Sequence, residues 1–257
     1  MNRRTFMTTT AAASLSSSGS GADRKKQYLQ LEYFYMRNGP QPQRANDFFA
    51  NYFLPAAKRL GLGPLGFFSP VIGERSPYIL MLAGHPSLDS FGTMFARLSE
   101  DGEFQKGMSK FHLPGDPGYT RRENSLLRAF DAMPSIQIPE SDGKRPARIF
   151  ELRTYESNDL NTLHRKIEMF EAGEIGIFKR LGMLPVFFGE AIAGRNLPSL
   201  TYMLCYDDLA AREKLWKDFS SDPEWVKMRA KPGNTDAEIV SNIGNVILRP
   251  AAFSEIR

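Results

Sequence analysis

Between residues 147 and 155 apolar and polar side chains alternate, and a period of two predicts a strand. The period then lengthens. Leu163, Ile167, Phe170, Phe178 and Leu181 recur at spacings of four, three, eight and three, which predicts one face of a helix. Asp159 or Asn161 is placed to cap it. Gly173 and Gly176 weaken its middle. Residues 184–193 and 199–206 read as two strands about a turn at Gly194, Arg195 and Asn196. A helix over 208–218 follows, then a shorter one over 223–230. The shorter helix opens on Asp222-Pro223-Glu224, a cap, a first-turn proline and a first-turn acid. A strand over 245–253 closes the set.

The first half of the chain repeats this order. Strands are predicted over 27–36, 65–72, 78–84 and 125–132, with helices over 46–60, 87–98 and 103–110. An offset of 121 (152 − 31) carries Leu31 onto Leu152, and Lys58-Arg59-Leu60-Gly61 onto Lys179-Arg180-Leu181-Gly182. It also carries Pro64, Phe67, Gly73 and Pro77 onto Pro185, Phe188, Gly194 and Pro198. Phe104 falls on Trp225. Pro55 falls on Gly176, so both long helices are expected to bend or break at one place. The chain therefore reads as an α+β protein of two tandem ferredoxin-like β-α-β-β-α-β units, 27–132 and 147–257, joined by a Pro/Ser-rich linker over 133–146. Each antiparallel sheet carries helices on one face and leaves the other bare, so the two sheets are expected to cover each other. That cover can come from within one chain or by exchange between two chains.

Composition narrows the function. The 33 basic against 29 acidic residues are interleaved, without the stripe that a nucleic-acid partner needs. No apolar run approaches the roughly 18 residues of a membrane-spanning helix. One cysteine, Cys205, excludes an intramolecular disulfide and a cysteine metal cluster, and it reads as a buried, inert thiol. His85, His112 and His164 share no metal-type spacing, so neither metal nor cofactor is expected. His164, between Leu163 and the basic pair Arg165 and Lys166, reads as part of a solvated helix face and not as a haem ligand. No Gly-x-Ser-x-Gly elbow or phosphate-cradling glycine loop occurs.

At the amino terminus, Arg3, Arg4 and Phe6 precede a short apolar stretch and a Ser/Gly run, which resembles a twin-arginine export signal over 1–24. Export to the periplasm is the expectation if that signal operates. Otherwise the segment is a tail and the protein stays cytoplasmic.

Phe150-Glu151-Leu152-Arg153-Thr154-Tyr155 opening such a unit resembles the NIPSNAP family. So do Lys179-Arg180-Leu181-Gly182, the strand from Tyr202 to Tyr206, and Asp222-Pro223-Glu224-Trp225. The resemblance covers about 148–250 and, more weakly, 28–131. It implies the dimeric α/β-barrel fold, here as a pseudo-dimer within the tandem repeat, and a biochemical role that the family leaves undefined.

Strand alternation puts Glu151, Arg153 and Tyr155 on one face and Phe150, Leu152 and Thr154 on the other. The apolar set is expected under the helices. The polar set, with Glu32 on the equivalent face of the first unit, is expected to line a space between the sheets. There Arg153 is a candidate anion ligand and Trp225 a candidate wall. The competing reading is an ion pair that satisfies itself, with Trp225 anchoring a short helix. The expected function is binding of a small ligand or a protein partner by a homo-oligomer. The alternative is a cofactor-independent monooxygenase or isomerase acting on a small aromatic compound. A pocket holding Arg153 favours the enzyme, and a filled interior with Glu151 paired to Arg153 favours the binder.

Overall fold

The computed structural model describes residues 25–140 and 147–257; the export-like segment and the end of the linker lie outside them. The first half runs β1 (Tyr28–Tyr35), α1 (Pro40–Phe48), a π-helical turn (Phe49–Phe53), α2 (Leu54–Arg59), β2 (Leu65–Ile72), β3 (Tyr78–His85), α3 (Leu88–Ser99), α4 (Gly102–Phe111) and β4 (Arg121–Ala129). The second runs β5 (Ile149–Glu156), α5 (Leu160–Met169), a second π-helical turn (Phe170–Glu174), α6 (Ile175–Leu181), β6 (Leu184–Ala193), β7 (Ser199–Tyr206), α7 (Leu209–Ser220), α8 (Pro223–Arg229), α9 (Asp236–Ile239) and β8 (Asn242–Pro250).

The eight strands close into one antiparallel barrel in the order β1-β3-β2-β8-β5-β7-β6-β4. The halves are stitched together where β2 meets β8 and β4 meets β6. Both seams carry a register shift, between Pro70 and Ile72 and between Leu126 and Leu127, and such bulges add the bend that closure requires. Closure takes place within one chain, which decides between the two forms of cover left open by the sequence.

Three cores result. The lumen is filled from both halves by residues such as Leu31, Phe68, Leu80, Phe150, Phe187 and Met203. Ile136 and Ile256 pack against this set from outside the strands. Outside the barrel, one core lies under the first-half helices and is rich in phenylalanine, and a second lies under α5–α9. An eight-stranded barrel has an interior just wide enough for side chains to fill.

Local signals fix the helices. Asp159 caps α5 by accepting from the Thr162 backbone N–H at 2.8 Å, and Asp222 caps α8 through the N–H groups of Glu224 and Trp225. Gly182 ends α6 in the left-handed conformation (φ +89°), as its place after Lys179-Arg180-Leu181 requires. The long helices do not break: each widens for five residues into a π turn, 49–53 and 170–174, at the same register. β4 and β8 begin earlier than the alternation indicates, and α9 was not expected at all.

Candidate functional site

Tracing β5 inverts the expected faces. Phe150 and Leu152 point into the lumen, while Glu151, Arg153 and Tyr155 lie on the outer face, under the helices. Glu32 is likewise turned to the first-half helices, where it pairs with Arg122. The cause is steric and dielectric together. The lumen has room only for closely packed side chains, whereas the helix layer supplies donors for a buried carboxylate.

Glu151 is fully buried. Its carboxylate accepts from Arg212 Nε at 2.9 Å, Trp216 Nε1 at 2.8 Å and Arg153 at 3.0 Å. Burial works to raise its pKa, and these donors outweigh burial and hold it below the ordinary value. Arg153 also donates to the Tyr155 hydroxyl at 3.1 Å, which accepts a second bond from Tyr202 Oη at 3.0 Å. The Arg153 guanidinium lies 4.5 Å from the Trp216 ring centroid, and its Nε, though buried, has no protein acceptor. Burial disfavours the charge of Arg153, and the surrounding Tyr202, Tyr155 and Glu151 outweigh that penalty and raise its pKa.

Beside this group, Lys166 on α5 is 1% exposed and pairs at 3.1 Å with Glu174, the last residue of the π turn. The ammonium sits among three rings, 4.8 Å from the centroid of Phe170, 5.1 Å from Trp225 and 5.5 Å from Tyr155. Burial opposes its charge, and Glu174, Tyr155 and Asp236 restore it. Burial pushes Glu174 up against the pull of Lys166. Asp236, exposed on α9, reaches Lys166 at 3.8 Å. A cleft of about 330 Å3 is lined by Val226, Arg229, Ala230, Thr235 and Asp236.

The structure thus brings Glu151, Arg153, Tyr155 and Trp225 into one cluster and leaves Glu32 in the other half. Sequence reasoning missed Lys166, Glu174, Tyr202, Arg212 and Trp216. One signal was present: Lys166 lies three residues after Leu163 and four before Phe170, on the apolar stripe of its own helix. Reading it with His164 and Arg165 as a solvated face is correct for those two and wrong for Lys166. At the offset of 121 the first half has Ala45, Phe53, Phe34, Met81 and Phe95 in place of Lys166, Glu174, Tyr155, Tyr202 and Trp216. The charged cluster belongs to one half alone. Among the described residues no group of three or more side chains is arranged to hold a metal ion. Cys205 is buried, which pushes its thiol up to about 12.

A single-chain, eight-stranded antiparallel barrel with helices over each half is the architecture of the dimeric α/β-barrel class, formed here without a second chain. The NIPSNAP family model matches residues 150–255, within the second half of the chain. The family's biochemical role is undefined. Two solved structures share the fold over most of the chain, and a third is similar to part of it. A candidate monooxygenase from Fusobacterium nucleatum is 10% identical, with 88% of this chain and 92% of that one covered at a TM-score of 0.57. An anthrone oxidase-like protein is 11% identical over 88% and 92%, at 0.54. A NIPSNAP-like domain protein from Burkholderia xenovorans is 24% identical over 42% of this chain and 89% of its own, at 0.38. No curated protein matches the sequence.

Proposed function

We propose that this protein binds a small organic anion in the helix layer of its second half, with Lys166 and Arg153 as the cationic ligands and Tyr155 and Trp225 as walls. The observation that carries the reading is a charge count. Lys166, Arg153 and Arg212 face only two buried carboxylates, Glu151 and Glu174, and the third acid is the exposed Asp236, which also lines the cleft. A ligand carboxylate entering by that cleft replaces Asp236 beside Lys166. The orphaned Nε of Arg153 supports the same reading, because an unpaired buried donor costs about 1–3 kcal/mol. The filled lumen and the Glu151–Arg153 bond favour this binder over a catalyst working between the sheets.

The protein's two tryptophans, Trp216 and Trp225, both lie in the cluster, so tryptophan fluorescence reads this site alone. Titration with benzoate and with aliphatic carboxylates should give saturable changes that Lys166→Met and Arg153→Met abolish. A flat response in the folded wild type overturns the proposal.

The enzyme alternative, a cofactor-independent monooxygenase acting on a small aromatic compound, has the likeness to the two oxygenase-like structures in its favour. An oxygen electrode with anthrone tests it: no uptake above the spontaneous rate removes it. The same proposal includes descent of the halves, 27–132 and 147–257, from one duplicated unit, supported by the π turns at equal register. It also includes export directed by Arg3 and Arg4, which a cytoplasmically retained reporter fused to residues 1–30 would refute. A homo-oligomer, if formed, uses outer surfaces, since the barrel is already closed. Sedimentation as a 29.0 kDa monomer removes that part.

A further inference from the structure

We propose a second anion site, independent of the first: the barrel end beneath the β2–β3 and β6–β7 turns binds a phosphate monoester through Arg75, Arg121 and Arg195. The three guanidiniums come from three elements and converge on one carboxylate, Glu123. Arg121 Nε stands 2.9 Å from Glu123 Oε1 and Arg75 4.0 Å from the same oxygen. Oε2 accepts from Arg195 at 2.9 Å and from the Tyr35 hydroxyl at 3.1 Å. Both carboxylate oxygens are therefore engaged, and one negative charge faces three positive ones. Of the other acids at this end, Glu74 is exposed on the β2–β3 turn, and Glu156 is held across the barrel by Asn242.

Two of the arginines, Arg121 and Arg195, are anchored on a floor of tyrosines. The rings of Tyr33, Tyr35 and Tyr78 pack with centroids 5.4–5.8 Å apart. The guanidinium of Arg121 lies 4.4 Å from the Tyr35 centroid, and that of Arg195 5.4 Å from Tyr33. Each arginine is about half exposed, so all three reach solvent, and Arg121 and Arg195 are held from below by the rings. Burial keeps the Tyr33 and Tyr78 hydroxyls protonated and able to donate. The turns that carry Arg75 and Arg195 are held in unusual conformations: Arg75 itself has φ +59° and Asn196, next to Arg195, φ +61°. A long side chain in the left-handed region is uncommon and marks a constrained loop. Rings stacked beneath guanidiniums fix a rigid fork geometry, which matches phosphoryl oxygens better than a flexible ammonium does. A dianion cancels the excess of two charges, which a monocarboxylate does only in part. At the offset of 121 this arrangement has no counterpart, since Asn196, Asn242 and Gly244 replace Arg75, Arg121 and Glu123.

Calorimetric titration of the full chain with phenyl phosphate, and separately with inorganic phosphate, tests the site. The expected result is saturable binding with a Kd of roughly 1 mM or tighter, weakening with added salt. Arg121→Gln and Arg195→Gln should each weaken it about tenfold with the thermal midpoint retained. Glu123→Gln removes the resident carboxylate and should tighten binding, a change that a merely structural Glu123 would not produce. Tighter binding of phenyl phosphate than of inorganic phosphate assigns an ester as the natural ligand; the reverse order overturns the ester assignment. Absence of saturable binding in the wild type, or equal binding by a folded Arg121→Gln/Arg195→Gln protein, overturns the site itself. Tryptophan fluorescence should stay unchanged throughout, which separates a failure here from a failure of the helix-layer site.

Discussion

Lys166 Nζ and Glu174 Oε2 face each other at 3.1 Å, one before the second π turn and one at its end, both side chains at least 98% buried. Removing one partner strands the other charge in the core. Lys166→Met is expected to destabilise the fold by about 3–5 kcal/mol, and Lys166→Met/Glu174→Met by much less, because the double change removes the desolvation penalty with the pair. Urea denaturation of the two singles and the double checks this; strictly additive losses would sink the interpretation.

His85 is 1% exposed at the end of β3, with its Nε2 2.9 Å from Gln30 Oε1, an arrangement that suits a neutral ring donating to the amide. Burial lowers its pKa to about 4. The sign follows directly: as pH falls past about 6.5 the unfolded chain takes up the proton first, so stability drops between there and pH 4 and then levels off. The loss is on the order of 3 kcal/mol if His85 acts alone. Denaturation midpoints from pH 7.5 to 4 should show a slope that His85→Gln reduces.

The same helix–helix contact is filled in opposite ways by the two halves. A Cβ on Gly107 would lie 2.4 Å from the stem of Tyr52, and a Cβ on Gly173 would meet the end of Met228 at 2.5 Å. Tyr52 and Gly107 correspond, at the offset of 121, to Gly173 and Met228, so large and small residues have changed places. Gly107→Met is expected to cost about 1–3 kcal/mol, and adding Tyr52→Gly should recover most of it. Thermal denaturation of both variants decides, with no recovery counting against complementary packing.

Phe150 fills the lumen from β5, its ring centroid 5.0 Å from that of Phe68 on β2. Because the two come from different halves, Phe150→Ala should cost about 3–5 kcal/mol, in one cooperative transition for the whole chain. Leu160→Ala, on an exposed position of α5, should stay within about 0.5 kcal/mol. Two separate unfolding transitions in Phe150→Ala would mean that the lumen does not couple the halves.

Much of the architecture was readable because its signals are local or periodic. Alternation identified β5, the turn at Gly194, Arg195 and Asn196 separated β6 from β7, aspartates identified the starts of α5 and α8, and Gly182 marked the end of α6. The offset linked Pro55 to Gly176 and so pointed to the widened helices, though five-residue π turns replace the expected breaks. Alternation states that Glu151 and Phe150 lie on opposite faces, but not which face is the lumen. That depends on barrel diameter, which no single strand encodes. The partners of Glu151 were beyond reach for a related reason: Arg212 and Trp216 stand some sixty residues away, on a helix whose rotation is set by packing. Lys166 alone announced itself, as a charge on an apolar stripe.

Because one chain closes its own barrel, dilution cannot part the halves, and a thermal midpoint independent of protein concentration is the natural corollary. A deeper effect concerns heredity. In a symmetric pair of separate subunits every amino-acid change is written into both sides at once, so a charge that suits one helix layer must be tolerated in the other. Here each change occurs once, so Lys166 and Glu174 can stand on one side where Ala45 and Phe53 stand on the other.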